Sequence, residues 1–305
     1  MAGLKQIKAK IKATDRTRKV TKAMEAVSAV KMRKSQERAL LGRPYAHAAL
    51  SILSRVAPSL LKSKHPLTEY RSGTRTLVVL VTSDKGLAGN LNGAVLKEAL
   101  RAISALPTED VSFICLGKRG YEFFAKRGYR VLSHRMNLRD DVSIDDLAVL
   151  SDEAVQYFTQ GACDRVLVVH QNFKSTFEQV PTTIGVLPLN AEVLETVVAG
   201  IVPKTGKYSG TSDEPAPAAY TIEPGEDTVL ADLLPRLVRV ILYHAMMEAK
   251  ASEHSARMVA MKNASDKAKD VSKSLNLVYN KARQAAITRE VSEITGGIEA
   301  MAQAE

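Results

Sequence analysis

Aromatic residues and cysteine are scarce in this chain, and each scarcity narrows what the protein can be. Aromatic side chains make up 5% of the 305 residues, tryptophan is absent and there are two cysteines. So few rings favour helices packed through small residues over a ligand pocket walled by aromatic side chains. Cys115 and Cys163 lie in or beside apolar runs. We therefore expect buried free thiols rather than a disulfide, and a reducing compartment.

Long hydrophobic runs are also missing. The longest, such as "LVVLV" at 77–81, are far shorter than the roughly 20 apolar residues that span a bilayer. The N-terminus has no apolar stretch of the kind found in a secretory signal, so none is expected. The apolar and charged shares, 45% and 25%, are those of an ordinary soluble globular protein.

One turn has the position, but not the spacing, of a phosphate-binding loop. The segment "TSDKGLAGNLNG" at 82–93 follows a predicted strand and precedes a predicted helix. Lys85 precedes Gly86, which breaks the P-loop pattern, and the glycines of the segment do not follow the dinucleotide pattern G-x-G-x-x-G. The segment is therefore predicted to be a tight structural turn without a bound nucleotide.

Residues of the kinds that bind metals or catalyse reactions do not cluster in the sequence. His244 and His254 are ten residues apart on one predicted helix, which is not the spacing of metal ligands. Asp145 and Asp146 stand at a predicted helix start, where they favour the helix dipole rather than form a catalytic pair. We therefore predict a protein that is not an enzyme, with no catalytic residue, no cofactor and no metal.

The positive charge of the chain is concentrated at its beginning. Residues 1–43 contain 13 Lys and Arg but 3 Asp and Glu, a net charge of +10 that equals the net charge of the whole chain. Five of these cations recur every three or four residues and so form one helix face: Lys5, Lys8, Lys12, Arg16 and Lys19. A basic segment on an otherwise neutral protein indicates an anionic partner, which could be nucleic acid, a membrane surface or an acidic protein patch.

Long helices are predicted at both ends of the chain. The first has no proline before Pro44, so we predict a helix over 1–57 that Pro44 can bend and Pro58 ends. The second is predicted over 227–305, because no proline follows Pro235.

Between these helices, residues 75–190 are predicted to form a Rossmann-like α/β domain with a mostly parallel sheet. Short apolar runs alternate there with helical patterns, which is typical of such a sheet. The predicted strands are 76–81, 111–116, 164–173 and 181–189, and the predicted helices are 92–104, 121–128 and 144–161. Residues 191–226, rich in Gly, Pro and Ser, are predicted to be a loop or linker.

Apolar and small residues repeat along the last helix with a heptad period. The first stripe is Val238, Leu242, Ala245, Ala249, Ser252, Ala256 and Val259, and the second is Ala264, Ala268, Val271, Leu275, Val278, Ala282 and Ala285. A third contains Ile287, Val291, Ile294, Ile298 and Met301. On the first helix, Leu4, Ile7 and Ile11 mark one face, and Val20, Met24 and Val27 continue an apolar stripe in a shifted register. We predict that the two helices pair as a long antiparallel coiled coil, with Ala256, Ala260 and Ala264 facing the N-terminal helix.

Three blocks of the sequence resemble the gamma subunits of F-type ATP synthases. They are the start "MAGLKQIKAKIKATDRTRKVTKAMEAVSAVKMRKSQERA", the turn "TSDKGLAGNLN" and the end "SARMVAMKNASDKAKDVSKSLNLVYNKARQAAITREVSEI". They occur in the family's order, and the two terminal blocks are long and specific. In one departure, Gly296 and Gly297 are followed by Ile298, where the family usually has Gly-Ala soon after "EI". Residues 191–219 lack the cysteine pair of the thiol-switched photosynthetic forms, so that redox control is not expected.

The resemblance implies a central rotor shaft that couples rotation of a membrane rotor ring to ATP synthesis or hydrolysis on the beta subunits. The coiled coil would stand inside a ring of three alpha and three beta subunits. The α/β domain would bind the epsilon subunit and the ring of c subunits. The chain would then be a peripheral membrane protein on the cytoplasmic face of a bacterial inner membrane, or on the matrix face of an equivalent membrane.

The resemblance also assigns partner contacts to particular residues. The basic stripe from Lys5 to Lys19 would face acidic loops of the beta subunits. Arg283 and Gln284 match the family's "ARQA" residues and would hydrogen-bond a beta-subunit loop. Three further residues are expected to make partner contacts: Met24, Thr288 and Glu290.

Two other functions compete with this one at the level of sequence. A nucleic-acid-binding protein could use the basic helix on phosphates, but no aromatic residue precedes Tyr45, so a stacking platform for single strands is missing. A nucleotide-dependent enzyme could be built on the α/β domain, but the turn at 82–93 disfavours it. The sequence therefore favours a mechanical subunit that does not bind nucleic acid.

Overall fold

The computed structural model describes residues 2–41, 65–190 and 225–302. Its helices are α1 (Ala2–Leu41), α2 (Leu91–Ala102), α3 (Lys118–Ala125), α4 (Ala148–Thr159) and α5 (Glu226–Ala302). Its strands are β1 (Thr76–Val81), β2 (Val111–Leu116), β3 (Arg130–Arg135), β4 (Arg165–Phe173) and β5 (Gln179–Leu187). The predictions for Pro44 and Pro58, and nearly all of the predicted linker over 191–226, lie outside the described residues.

The chain divides into two compact units. Met1–Ser28 and Arg257–Glu305 form one, here called the coiled-coil unit, and Ala29–Ala256 form the other, here called the α/β unit. The divisions fall inside α1 and α5. Each long helix therefore contributes residues to both units.

The sheet of the α/β unit has the strand order β3-β2-β1-β4-β5. The first four strands pair in parallel, and β5 pairs antiparallel with β4. The predicted α/β class with a mostly parallel sheet is therefore confirmed. The bounds predicted for β1 and β2 agree with the structure, because both strands are buried along their whole length and so read as continuous apolar runs. The sequence did not predict β3, because this strand has an arginine at each end and exposed termini.

Helices cover both faces of this sheet. On one face, side chains of β2 pack with α2 and α3, and the rings of Phe113 and Phe124 stack with their centroids 4.0 Å apart. On the other face, α4 and the first part of α5 pack against β1 and β4. The α/β unit therefore has two apolar cores, separated by the sheet.

The first part of α5 packs against the sheet. Val238, Leu242, Ala245 and Ala249 belong to the same buried cluster as residues of β1 and β4. Ser252 donates a hydrogen bond to the main-chain oxygen of Gln171 in β4, at 3.2 Å. These five residues belong to the first predicted stripe of the last helix. The prediction that this stripe faces the N-terminal helix is therefore wrong for these positions. The reason is that α2 and α3 cover the opposite face, and this face of the sheet also needs a cover.

The seam of the coiled-coil unit agrees with the predicted one at some positions and differs from it by one residue at others. Its buried and half-buried positions step by three and four in both helices, as in a coiled coil. On α1 they include Leu4, Ile7, Ile11, Thr14, Arg18, Thr21 and Ser28, and on α5 they include Met261, Ser265, Ala268, Ser272, Leu275, Tyr279, Ala282 and Ala286. The predicted seam positions Val271 and Val278 are instead 39% and 53% exposed.

Several other predicted apolar positions lie outside the seam. Val20 and Val27 of α1 are 58% and 56% exposed, because Thr21 and Ser28 take the inward positions beside them. The isoleucines and valine of the third stripe are 51–64% exposed. Ala256, Ala260 and Ala264 are half-buried, and that they face the N-terminal helix stays a prediction. The sequence therefore predicted the heptad period correctly, and Ala268, Leu275 and Ala282 lie in the seam as predicted. The alternate positions were predicted one residue away, since the small polar Ser265 and Ser272 and the tyrosine Tyr279 occupy the seam there.

Candidate functional site

The turn at 82–93 is held by its own aspartate. Asp84 accepts hydrogen bonds from the main-chain N–H groups of Lys118 and Asn137, each at 2.9 Å. Lys118 is the first residue of α3, and a helix N-terminus is where a phosphate would bind. The carboxylate of Asp84 occupies this position. Its two hydrogen bonds connect the turn to the start of α3 and to the loop after β3, at the carboxyl edge of the sheet.

Further hydrogen bonds close the same turn. The Asn92 side chain accepts from the Ser83 N–H at 3.0 Å and donates to the Ser83 hydroxyl at 2.7 Å. Gly117 has φ of +99°, and a Cβ there would lie 2.1 Å from the main-chain oxygen of Thr82. These contacts confirm the tight structural turn. The sequence predicted the turn but not the role of Asp84, although an aspartate just after a buried strand is a signal for such a role.

The predicted basic stripe lies on the surface of the coiled-coil unit. Lys5, Lys8, Lys12, Arg16 and Lys19 are all exposed. Within residues 2–41, 65–190 and 225–302, none of the five has a carboxylate within ion-pair distance. Their charges are therefore not neutralised by the described part of the chain, and they are available to an anionic partner.

The predicted contact residues of α5 are also exposed. Arg283, Gln284, Thr288 and Glu290 all lie on the surface of the helix, and the Thr288 hydroxyl donates to the main-chain oxygen of Gln284 at 3.0 Å. Met24 on α1 is half-buried. The structure therefore leaves the four α5 side chains available to a partner and places Met24 at the edge of the seam.

Both cysteines are free and buried, as the sequence predicts. Burial raises the pKa of Cys115 and of Cys163 to about 12. Among the described residues, no group of three or more His, Cys, Asp and Glu is placed to hold a metal ion. No described helix is both long and apolar enough to cross a membrane.

The fold defines a class of protein in which the two terminal helices form a coiled coil and the residues between them an α/β domain. The family model described as ATP synthase matches residues 3–301. The ATP synthase gamma chain of Cupriavidus necator is 41% identical over 303 residues, which cover 99% of this chain and 100% of that protein. That of Heliobacterium modesticaldum is 36% identical over 301 residues, with the same coverage. The chain therefore belongs to the ATP synthase gamma-chain family, whose members are non-catalytic stalk subunits.

Solved structures have the same fold. The mitochondrial ATP synthase of Euglena gracilis, in a structure of OSCP, F1 and c-ring, contains a chain with a TM-score of 0.64 and 17% identity that covers 98% of this chain and 95% of its own length. A chain of the Tetrahymena thermophila central stalk and c-ring has a TM-score of 0.57 and 24% identity, and the match covers 81% of this chain and 99% of that one. These comparisons agree with the predicted family and give no support to the nucleic-acid-binding alternative.

Proposed function

We propose that this chain is the turning central shaft of a proton-translocating F-type ATP synthase. It couples rotation of the membrane rotor ring to nucleotide exchange, and so to ATP synthesis or hydrolysis, on the beta subunits. The observation that carries the proposal is similarity to gamma chains along the whole length of the chain. The paired helices supply the structure that a shaft needs, because a coiled coil resists bending and twisting better than a single helix does.

The partners follow from the same assignment. The coiled-coil unit stands inside a ring of three alpha and three beta subunits, and the α/β unit binds the epsilon subunit and the ring of c subunits. The similar solved structures are of a central stalk, F1 and a c-ring, which supports this assignment. The chain is then held at the membrane by its partners, on the cytoplasmic face of a bacterial inner membrane or on the matrix face of an equivalent membrane.

Two surfaces of the coiled-coil unit are proposed to touch the surrounding ring. The basic stripe from Lys5 to Lys19 attracts acidic loops of the beta subunits, since no described carboxylate neutralises it. Arg283 and Gln284 hydrogen-bond a beta-subunit loop, and three further residues contribute contacts: Met24, Thr288 and Glu290.

Purification of the tagged chain from its own cells tests the proposal. The chain should co-purify with alpha and beta subunits in a ratio of one to three to three, together with epsilon. The complex should hydrolyse ATP, whereas the isolated chain should neither hydrolyse ATP nor bind it tightly. Purification without any nucleotide-binding subunit, or micromolar ATP binding by the isolated chain in calorimetry, would contradict the proposal.

A further inference from the structure

Cationic side chains from both long helices converge on one aspartate of the α/β unit. Asp140 lies in the loop that follows β3. Its carboxylate is 2.7 Å from Nζ of Lys31 on α1 and 2.9 Å from Nε2 of His254 on α5. Nζ of Lys250, one turn before His254, is 3.8 Å away. We call these residues, with Arg38, the Asp140 cluster.

The loop that carries Asp140 is fixed to the α/β unit on both sides. Val142 is 4% exposed and belongs to the buried cluster between the sheet and α5, against which Leu138 also packs. The main-chain oxygen of Leu138 accepts a hydrogen bond from Lys250 at 2.9 Å. The N–H of Asn137 donates to Asp84. Asp140 is therefore held on a rigid loop.

The two long helices are attached to the α/β unit in different ways. The first part of α5 is buried among sheet residues, so apolar packing holds it firmly. None of the described side chains at positions 29–38 of α1 belongs to either apolar core, although Met32 and Ser35 there are buried, at 8% and 1% exposed. In addition, Lys31 binds the carboxylate of Asp140, and the guanidinium of Arg38 donates to the main-chain oxygen of Asp140. Lys31 and Arg38 are two turns apart and share one face of the helix.

The electrostatic environment keeps Asp140 ionised. The hydrogen bond from His254, together with that from Lys31, holds the pKa of the carboxyl well below its usual range. A single exposed ion pair contributes little to stability. Here Lys31, Lys250 and His254 share one carboxylate that is 30% exposed, and His254 is 5% exposed. A network of this kind is worth more than an isolated surface pair.

We propose that Asp140 is a positioning residue for energy coupling, because it fixes α1 to the α/β unit so that both helices turn together with that unit. The inference rests on the proposed function as a rotor shaft. A shaft transmits torque only if its parts do not slip past one another. If the Asp140 cluster is broken, α5 stays packed on the sheet but α1 can move against it. Part of the free energy released by each ATP hydrolysed is then lost in twisting the shaft. Fewer protons are therefore pumped across the membrane per ATP hydrolysed.

The variant Asp140→Asn tests this inference in the assembled ATP synthase, reconstituted into lipid vesicles. ATP hydrolysis and ATP-driven proton uptake are measured on the same vesicles. Hydrolysis should be retained, while proton uptake per ATP should fall by about twofold or more, an effect within the range expected for a coupling residue remote from the ligand sites. Asp140→Glu, which keeps the charge, should restore part of the loss.

Two further variants keep the result interpretable. Asp141→Asn is the matched control, because the Asp141 carboxylate pairs with the exposed Arg139 at 2.7 Å. It should leave proton uptake per ATP unchanged. Lys31→Gln removes the link from α1 alone and should lower the ratio, and since Lys31 is 47% exposed, this variant should assemble. If Asp140→Asn does not assemble, Lys31→Gln decides.

The outcomes separate this inference from the proposed function. If wild-type vesicles pump protons and both Asp140→Asn and Lys31→Gln pump as many per ATP as wild type, Asp140 has no role in coupling, and the inference is overturned. If the wild-type complex lacks this chain or pumps no protons when the chain is present, the proposed function itself fails. Faster hydrogen exchange at residues 29–38 of the variant complex, with unchanged exchange in the buried part of α5, would support the inference.

Discussion

Ser272 on α5 donates a hydrogen bond to Asp15 on α1, with 3.0 Å between the oxygen atoms. This contact defines the register of the coiled-coil unit, because it requires the side chain at 272 to point toward α1. Val271, one residue earlier, is 39% exposed. Small side chains at the seam let two helix axes approach closely. Ser272 is therefore compatible with a seam position, because its side chain is small and its hydroxyl group donates a hydrogen bond to the carboxylate of Asp15.

A larger residue at position 272 should push the two helices apart. Ser272→Leu is expected to lower the free energy of unfolding by about 1–3 kcal/mol through overpacking. The matched change Val271→Leu should alter it by no more than about 0.5 kcal/mol, as is usual for exposed positions. Urea unfolding of both variants, followed by circular dichroism, measures the difference. The reverse order of effects would mean that the seam passes through Val271.

Gly117 should not tolerate a side chain. Gly117→Ala is expected to lower the free energy of unfolding by more than the backbone penalty of about 1–2 kcal/mol, because the new Cβ would also meet the Thr82 oxygen. Gly161 also has a positive φ, of +72°, but open space around it. Gly161→Ala should therefore cost only the backbone penalty of about 1–2 kcal/mol. Equal losses in the two variants would argue against the close approach of Gly117 to β1.

The buried Asp164 should make the stability of the α/β unit depend on pH. Its carboxylate is 4% exposed and lies 2.7 Å from the guanidinium of Arg75, whose hydrogen bond holds the pKa of Asp164 below its ordinary value of 3.8. Because the folded pKa is the lower one, the unfolded chain binds more protons as pH falls. The Asp164–Arg75 pair therefore stabilises the folded state fully at pH values above 3.8, the ordinary pKa of the carboxyl group. This stabilisation is lost as the pH falls from there through the lower pKa that Asp164 has in the folded state.

Asp164→Asn tests this dependence. The variant should unfold at a lower urea concentration than wild type at pH 7, and the difference should become smaller at pH 3. Other carboxyl groups titrate in both proteins and so largely cancel in the difference. A difference that stays constant between pH 7 and pH 3 would contradict the ionic role of Asp164.

The basic stripe should act as a group. Exposed ion pairs typically contribute about 0–1 kcal/mol each, so single substitutions from Lys5 to Lys19 should have small effects. Changing Lys5, Lys8, Lys12 and Lys19 together to Glu should slow assembly with the alpha and beta subunits, and the size of the effect should depend on salt. Normal assembly of the quadruple variant at low salt would contradict an acidic partner.

Arg283 and Gln284 should matter in the complex and not in the isolated chain. Their double change to Ala should impair turnover or assembly while leaving the helix content unchanged, because both side chains are exposed. The matched control changes the exposed Lys269 and Asp270 of the same helix to Ala. Wild-type rates in the assembled Arg283/Gln284 variant would remove these residues from the contact surface.

The sequence by itself determined the elements whose signal is local. The buried strands β1 and β2 are continuous apolar runs, and the long stretches without proline at the two ends predicted long helices. The apolar surroundings of Cys115 and Cys163 predicted buried thiols. The terminal blocks also identified the family, because a long and specific sequence pattern can be recognised without knowing which residues contact one another. The spacing of the cations identified the basic stripe, whereas the contacts assigned to Met24, Arg283, Gln284, Thr288 and Glu290 came from that resemblance. All of these partner contacts remain predictions.

Only the tertiary structure decided which positions face one another. A heptad pattern allows several registers when small and polar residues alternate, and the choice of Ser272 over Val271 depends on a partner 257 residues away. The strand β3 has too few apolar residues to be recognised alone, and it forms because β2 offers a free edge. Asp140 is an ordinary loop residue in the sequence. Its importance arises because folding brings Lys31 and His254 to it from opposite ends of the chain.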